Sequence, residues 1–161
     1  MRRALTLMLF LSMLQGALAW AALGGSPSDF GGNTTQIRMA ARSLAATSTS
    51  STNSATTTAV YTISQSTLDS GTIVREYTDA SGVVFAVSWT GPTLPDLRTL
   101  LGAKFTVMTS NAAKRPKAGH SQLAIDQSDV VIVSSGHMRA YSGQAWIPSA
   151  LPAGFDTTTI E

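Results

Sequence analysis

The chain contains two histidines, His120 and His137. Imidazole is the side chain best suited to proton transfer near neutral pH. Asp126 and Asp129 lie between them in sequence, and Ser134 and Ser135 come just before His137. A metal would need ligands at a recognised spacing. The chain has neither an H-E-x-x-H pair nor paired C-x-x-C, so no metal ligands are assigned. A serine nucleophile would need a G-x-S-x-G elbow or an S-x-x-K pair, and both are missing. Asp69 and Asp79 fit turns and Asp96 fits a helix cap, which leaves Glu76, Asp126 and Asp129 for a glycosidase-type carboxylate pair. No catalytic residue and no cofactor-binding residue is assigned. A small envelope hydrolase using His137 with a nearby serine or Asp129 stands as an alternative reading.

Aromatic and cationic residues offer binding chemistry instead. Trp89 and Trp146 fall near strand ends, where a ring can line a groove. Arg98, Arg139 and Tyr141 lie close to the same two Gly/Pro corners, and these five residues form the candidate binding surface. Tyr61, Tyr77, Phe85, Phe105 and Phe155 read as core. The basic run "KRPK" (114–117) reads as a solvated loop held non-helical by Pro116.

The elements that must position these residues speak mainly in period two. "VYTISQST", "GTIVREYT" and "VVFAVSW" alternate apolar and polar positions, with Val83, Phe85, Val87 and Trp89 expected on one face. "LDSG" and "DASG" between them suit type I turns in short hairpin loops, so a three-strand antiparallel meander is predicted. After Trp89, Pro92 ends the strand, and Thr93 with Asp96 reads as a capping box. Leu94, Leu97, Leu100 and Leu101 then share a helical face that Gly102 closes. "AKFTVMT" (103–109) reads as a further strand from 104, and "DVVIVSS" (129–135) as a central one. "HMRAYS" and "QAWIP" read as a hairpin turning at Ser142-Gly143.

The N-terminus has another character. Arg2 and Arg3, an uncharged apolar run from Ala4 to Leu14, and Ala19-Trp20-Ala21 have the layout of a secretory signal peptide, with cleavage expected after Ala21. The apolar run is short of the roughly 20 residues a membrane-spanning helix needs. Removing Arg2 and Arg3 leaves nine charges of each sign, so the positive balance belongs to the leader and a nucleic-acid partner loses its support. The absence of cysteine rules out disulfides and a cysteine-acylated lipoprotein. Beyond the leader (1–21), residues 22–46 are read as a segment with a helix at 35–45, on the spacing of Ile37, Ala40, Ala41 and Leu44. Residues 47–58 read as a Ser/Thr-rich flexible linker, 59–152 as the folded β-rich domain and 153–161 as a loose tail.

"GTIVREYTDASGVVFAVSWTGPTLPDLRTLLG" (71–102), "GHMRAYSGQAWIPSALPAG" (136–154) and "ALGG" (22–25) resemble domain-of-unknown-function family 2844, small exported bacterial proteins. The resemblance implies export and brings no catalytic residues with it. The expected fold is α+β: mainly antiparallel sheet, a meander plus a C-terminal hairpin, with one short helix after the third strand and a loosely attached N-terminal helix. The expected role is a non-catalytic periplasmic or secreted binding or accessory module acting on a protein or cell-envelope component. A structural part in an exported assembly is the third reading.

Overall fold

The computed structural model describes residues 23–30, 35–46, 57–114 and 122–161, with the backbone alone for 35–46 and 57–60. The expected leader and most of the Ser/Thr-rich linker lie outside the described residues. The meander is formed by β2 (Thr57–Thr67), β3 (Ile73–Thr78) and β4 (Val84–Gly91), paired antiparallel. The hairpin of β6 (Val131–His137) and β7 (Ala140–Trp146) joins it because β7 pairs with β4. With β1 (Thr35–Ala46) and β5 (Gln122–Asp126) at the edges, one seven-stranded sheet results, in the order β1-β2-β3-β4-β7-β6-β5.

β4 is central, and six of its residues, Val84–Trp89, are buried on both faces. A register shift opposite Tyr77 and Thr78 inserts one residue into β4, because Tyr77 faces Ala86 while Thr78 faces Val84. Such a bulge changes the phase of the side chains. Val84, Val87 and Trp89 therefore enter one core, and Phe85 and Ala86 the other. This corrects the simple alternation of Val83, Phe85, Val87 and Trp89.

The first core is closed by α1 (Leu97–Leu101), α2 (Lys104–Lys114) and an N-terminal strap, residues 23–30. Asp96 is the N-cap of α1; its carboxylate accepts from the Arg98 N–H at 3.0 Å and from the Thr99 hydroxyl at 2.6 Å. These bonds, Thr99 foremost, hold the Asp96 carboxyl below its ordinary pKa. The expected capping box therefore moves: Thr93 bonds Ser70 and Thr72 instead, and Leu94 is exposed. Gly102 closes α1 at φ 52° and donates to the Arg98 carbonyl. Leu97, Leu100 and Leu101 are buried; full burial of one such side chain stabilises by about 1.5–3 kcal/mol.

Two element assignments change. Residues 104–114 are helical, not a strand. Phe105 and Met108, three residues apart, pack on the core as a helix requires, while the Phe105–Val107 alternation mimicked a strand. The segment expected as an N-terminal helix is β1, in register with β2 from Thr35 opposite Thr67 to Ala46 opposite Thr57. Its register shifts between Met39 and Arg42, and one extra residue there replaces strict alternation with the spacing that resembled a helix. Pairing with β2 overrides local propensity.

The second face is covered by the C-terminal segment, including 3-10 turns at Pro148–Ala150 and Thr157–Thr159. Phe155 packs edge-on against Phe85 and Tyr61, with ring centroids 5.0 and 5.2 Å apart, a favoured aromatic geometry. Ile160 is buried, and the Glu161 N–H donates to the Tyr77 hydroxyl at 3.1 Å. Arg75 and Ser88 donate to the Glu161 carbonyl oxygen. The residues expected as a loose tail are thus a docked layer.

The strap is bound just as closely. Leu23 is buried and donates its N–H to the Leu100 carbonyl, and Gly24 and Gly25 exchange backbone bonds with Val84. The Ser28 N–H reaches both oxygens of the Glu76 carboxylate, at 2.9 and 3.0 Å. Glu76 is only 2% exposed. Burial pushes its carboxyl above the ordinary 4.5, and hydrogen bonding from Ser28 offsets only part of that. A raised folded-state pKa means that the folded chain holds this proton more tightly than the unfolded one. The contribution is complete below pH 4.5 and is lost as pH rises through the folded value. Thermal melts of the protein and of Glu76→Gln across this window should show the parent losing stability relative to the variant as pH rises. A constant difference would show that Glu76 does not titrate in the fold.

Candidate functional site

The structure separates the five candidate binding residues. Trp89 is 2% exposed and belongs to the first core. Its indole lies against Gly143, its partner across the β4–β7 pair, and its Nε1 has no acceptor among the described residues. Trp146 packs against the opposite core. Arg98 stands on α1 with its guanidinium 5.2 Å from the centre of the Phe105 ring, a cation–π contact within the helical layer. Arg139 and Tyr141 come together, with His137 and Pro92, in a shallow depression of about 520 Å³ at one end of β4, β7 and β6, and Trp89 lines the depression next to it.

A second depression, about 400 Å³, adjoins it and shares Thr90, Ser135 and Ser142. The two make one open trough across β4, β7 and β6, from Arg75 and Gln144 to Arg139. Its floor is polar: the Ser135 and Ser142 hydroxyls lie 2.8 Å apart and bond each other. Val133, 39% exposed, adds an apolar patch. The C-terminal layer reaches the trough edge at Ile160 and Glu161 and leaves the rest of this face uncovered.

Local sequence builds the trough in two places. At the exit of β4 the Thr72 hydroxyl donates to the Thr93 carbonyl at 2.7 Å, and the Thr93 hydroxyl donates to Ser70 at 2.6 Å. Gly91 permits that approach, since a Cβ on it would come within 2.5 Å of the Thr72 Cα. At the other wall, His137 pairs with Ala140, so the hairpin turns on Met138 and Arg139 and not at Ser142-Gly143. Arg139 has φ 61°, a left-handed conformation that costs a non-glycine residue about 1–2 kcal/mol. It is the one non-glycine residue with positive φ among the described residues.

Three of the groups considered for hydrolysis have structural partners, while His137 lines the same depression as Ser135. Asp129 pairs with Lys104 at 3.1 Å, Glu76 holds the strap, and Ser135 bonds Ser142. No cluster of three or more metal-ligating side chains occurs among the described residues. Lys114 ends α2, and the rest of the "KRPK" run lies outside the described residues. Sequence reasoning missed Ser135, Ser142 and Gln144 as trough residues. Their signal was the polar parity of β6 and β7, hidden by placing the hairpin turn at the wrong residues.

Gly143 has a packing duty. A Cβ there would lie 2.2 Å from the Trp89 ring and 2.8 Å from the Val133 carbonyl oxygen. Gly143→Ala should therefore destabilise the protein by about 1–3 kcal/mol, the usual cost of overpacking, as read from chemical denaturation. An unchanged midpoint would show that the indole does not lie over this strand.

No helix among the described residues is long and apolar enough to cross a membrane. No curated protein and no solved structure matches the chain. One family model, described as "Protein of unknown function (DUF2844)", matches residues 19–160 and takes in the strap, the sheet and all but the last residue of the C-terminal layer. The chain belongs to the DUF2844 family.

Proposed function

We infer that the protein is an exported, non-catalytic binding or accessory module that engages a protein or cell-envelope partner through the open trough. The observation that carries this reading is the uneven cover of the sheet. The strap and two helices close one face, and the C-terminal layer stops at Glu161, leaving hydroxyls, an amide and an apolar side chain displayed across three strands. Interfaces of this composition are polar with a small apolar centre. The engagement of Asp129, Glu76 and Ser135 in structural contacts weighs against the hydrolase reading.

Export is supported by the basic and apolar N-terminal residues. Processing after Ala21 would also spare Leu23, which the first core needs. A cut beyond Leu23 would remove a buried side chain and a backbone bond to Leu100.

The test is fractionation and in-cell crosslinking of the tagged chain, alongside a Val133→Glu/Gln144→Glu variant. We expect recovery from the periplasm or medium, a reproducible partner, and loss of that partner in a variant that still melts cooperatively. Retention in the cytoplasm would overturn export. Equal capture by the variant would remove the trough from the interface.

A further inference from the structure

We propose that the Arg139 end of the trough recognises carboxylate side chains of an acidic polypeptide segment. The proposal deepens the trough reading above and rests on it. Two independent observations lead to it. First, this end is lined by groups able to donate: the Arg139 guanidinium, the His137 imidazole, the hydroxyls of Thr90 and Tyr141, and the one O–H that the Ser135–Ser142 pair leaves over. No carboxylate lines it. The ion pair found among the described residues, Lys104–Asp129, involves other residues, so Arg139 brings its full charge to the depression. Second, the backbone holds Arg139 at φ 61°, where glycine or asparagine would sit with less strain. Strain persists where the surroundings over-determine it, and it concentrates at ligand-binding positions. Arginine at this point of a two-residue turn is poor turn chemistry and good recognition chemistry.

The charge of the site selects the anion. One guanidinium offers a planar fork that matches one carboxylate with two parallel hydrogen bonds. A phosphate carries more charge and is usually met by several cations or a nest of backbone N–H groups. The shape selects the source. The depression is shallow and continuous with a trough over three strands, which suits a side chain projecting from an extended segment. Met138, 97% exposed beside Arg139, adds a soft apolar contact for the residue next to the acidic one.

The test is calorimetric titration of the full chain at low salt with a short polyglutamate peptide, with oligogalacturonate and with inorganic phosphate. Polyglutamate should bind, more weakly as salt rises, and the other two should not. Arg139→Gly should lower the affinity at least roughly tenfold, since it removes both hydrogen bonds of the fork and one bond to a charged group is already worth about that much. The same variant should melt no lower than the parent, because glycine relaxes the turn. Arg139→Lys should retain more affinity than Arg139→Gly. Absence of polyglutamate binding, equal binding by Arg139→Gly, or preference for oligogalacturonate or phosphate would each overturn the proposal. The trough reading fails separately, when Val133→Glu/Gln144→Glu leaves partner capture unchanged. If that variant loses the partner and Arg139→Gly binds polyglutamate like the parent, the trough stands and the carboxylate assignment alone falls.

Discussion

β4 is paired along both edges and covered on both faces, and every other layer takes its position from that strand. β3 and β7 are fixed to it by backbone hydrogen bonds, so the meander and the C-terminal hairpin become one sheet. The bulge at Phe85 and Ala86 supplies apolar side chains to two cores from one short strand. Without the extra residue, Phe85 and Val87 would share a face, and the aromatic cluster with Tyr61, Tyr77 and Phe155 would lose its centre. The register of β4 also places Trp89 against Gly143, and so determines where the β6–β7 hairpin lies and which residues floor the trough.

The two covering layers differ in how they are held. The helical layer rests on leucine burial and on the Asp96 and Gly102 caps of α1, local features written within a few residues of one another. The strap and the C-terminal layer depend on bonds between residues far apart in sequence, Ser28 to Glu76 and Glu161 to Tyr77 among them. An ionised carboxylate costs several kcal/mol to bury unless it is well hydrogen-bonded. Glu76 is therefore an expensive anchor, and the strap N–H offsets part of that cost.

Much of the fold was legible in the sequence because its signals are local. Asp79 illustrates this: its carboxylate accepts from the N–H groups of Ser81 and Val83 and from the Ser81 hydroxyl, which foremost holds its pKa below the ordinary range. That chemistry is written in "DASG", and the meander follows from it. The β1 strand was not legible, since only pairing with β2 distinguishes its bulged spacing from a helix. The C-terminal layer was missed because its apolar residues are few and the rings that Phe155 packs on, those of Tyr61, Tyr77 and Phe85, lie far back in the sequence. The candidate site was read in part. Arg139 and Tyr141, singled out by residue type, lie in one depression. Trp89 lies in the lining of the trough but gives nearly all of its ring to the first core, a division that an aromatic at a strand end does not reveal in sequence. Gly143 drew the turn to itself because glycine usually marks turns, whereas here it makes room for a ring.

Both cores and the trough depend on β4 being the buried centre of a single sheet, and amide hydrogen exchange tests that directly. The amides of Phe85 to Trp89 should be among the slowest to exchange, with those of β3 and β7 that bond to them, and the edge strands β1 and β5 should exchange faster. If the β4 amides exchange as fast as those of the edge strands, β4 is not the central strand, and the trough beside it would have to be rebuilt from a different sheet order.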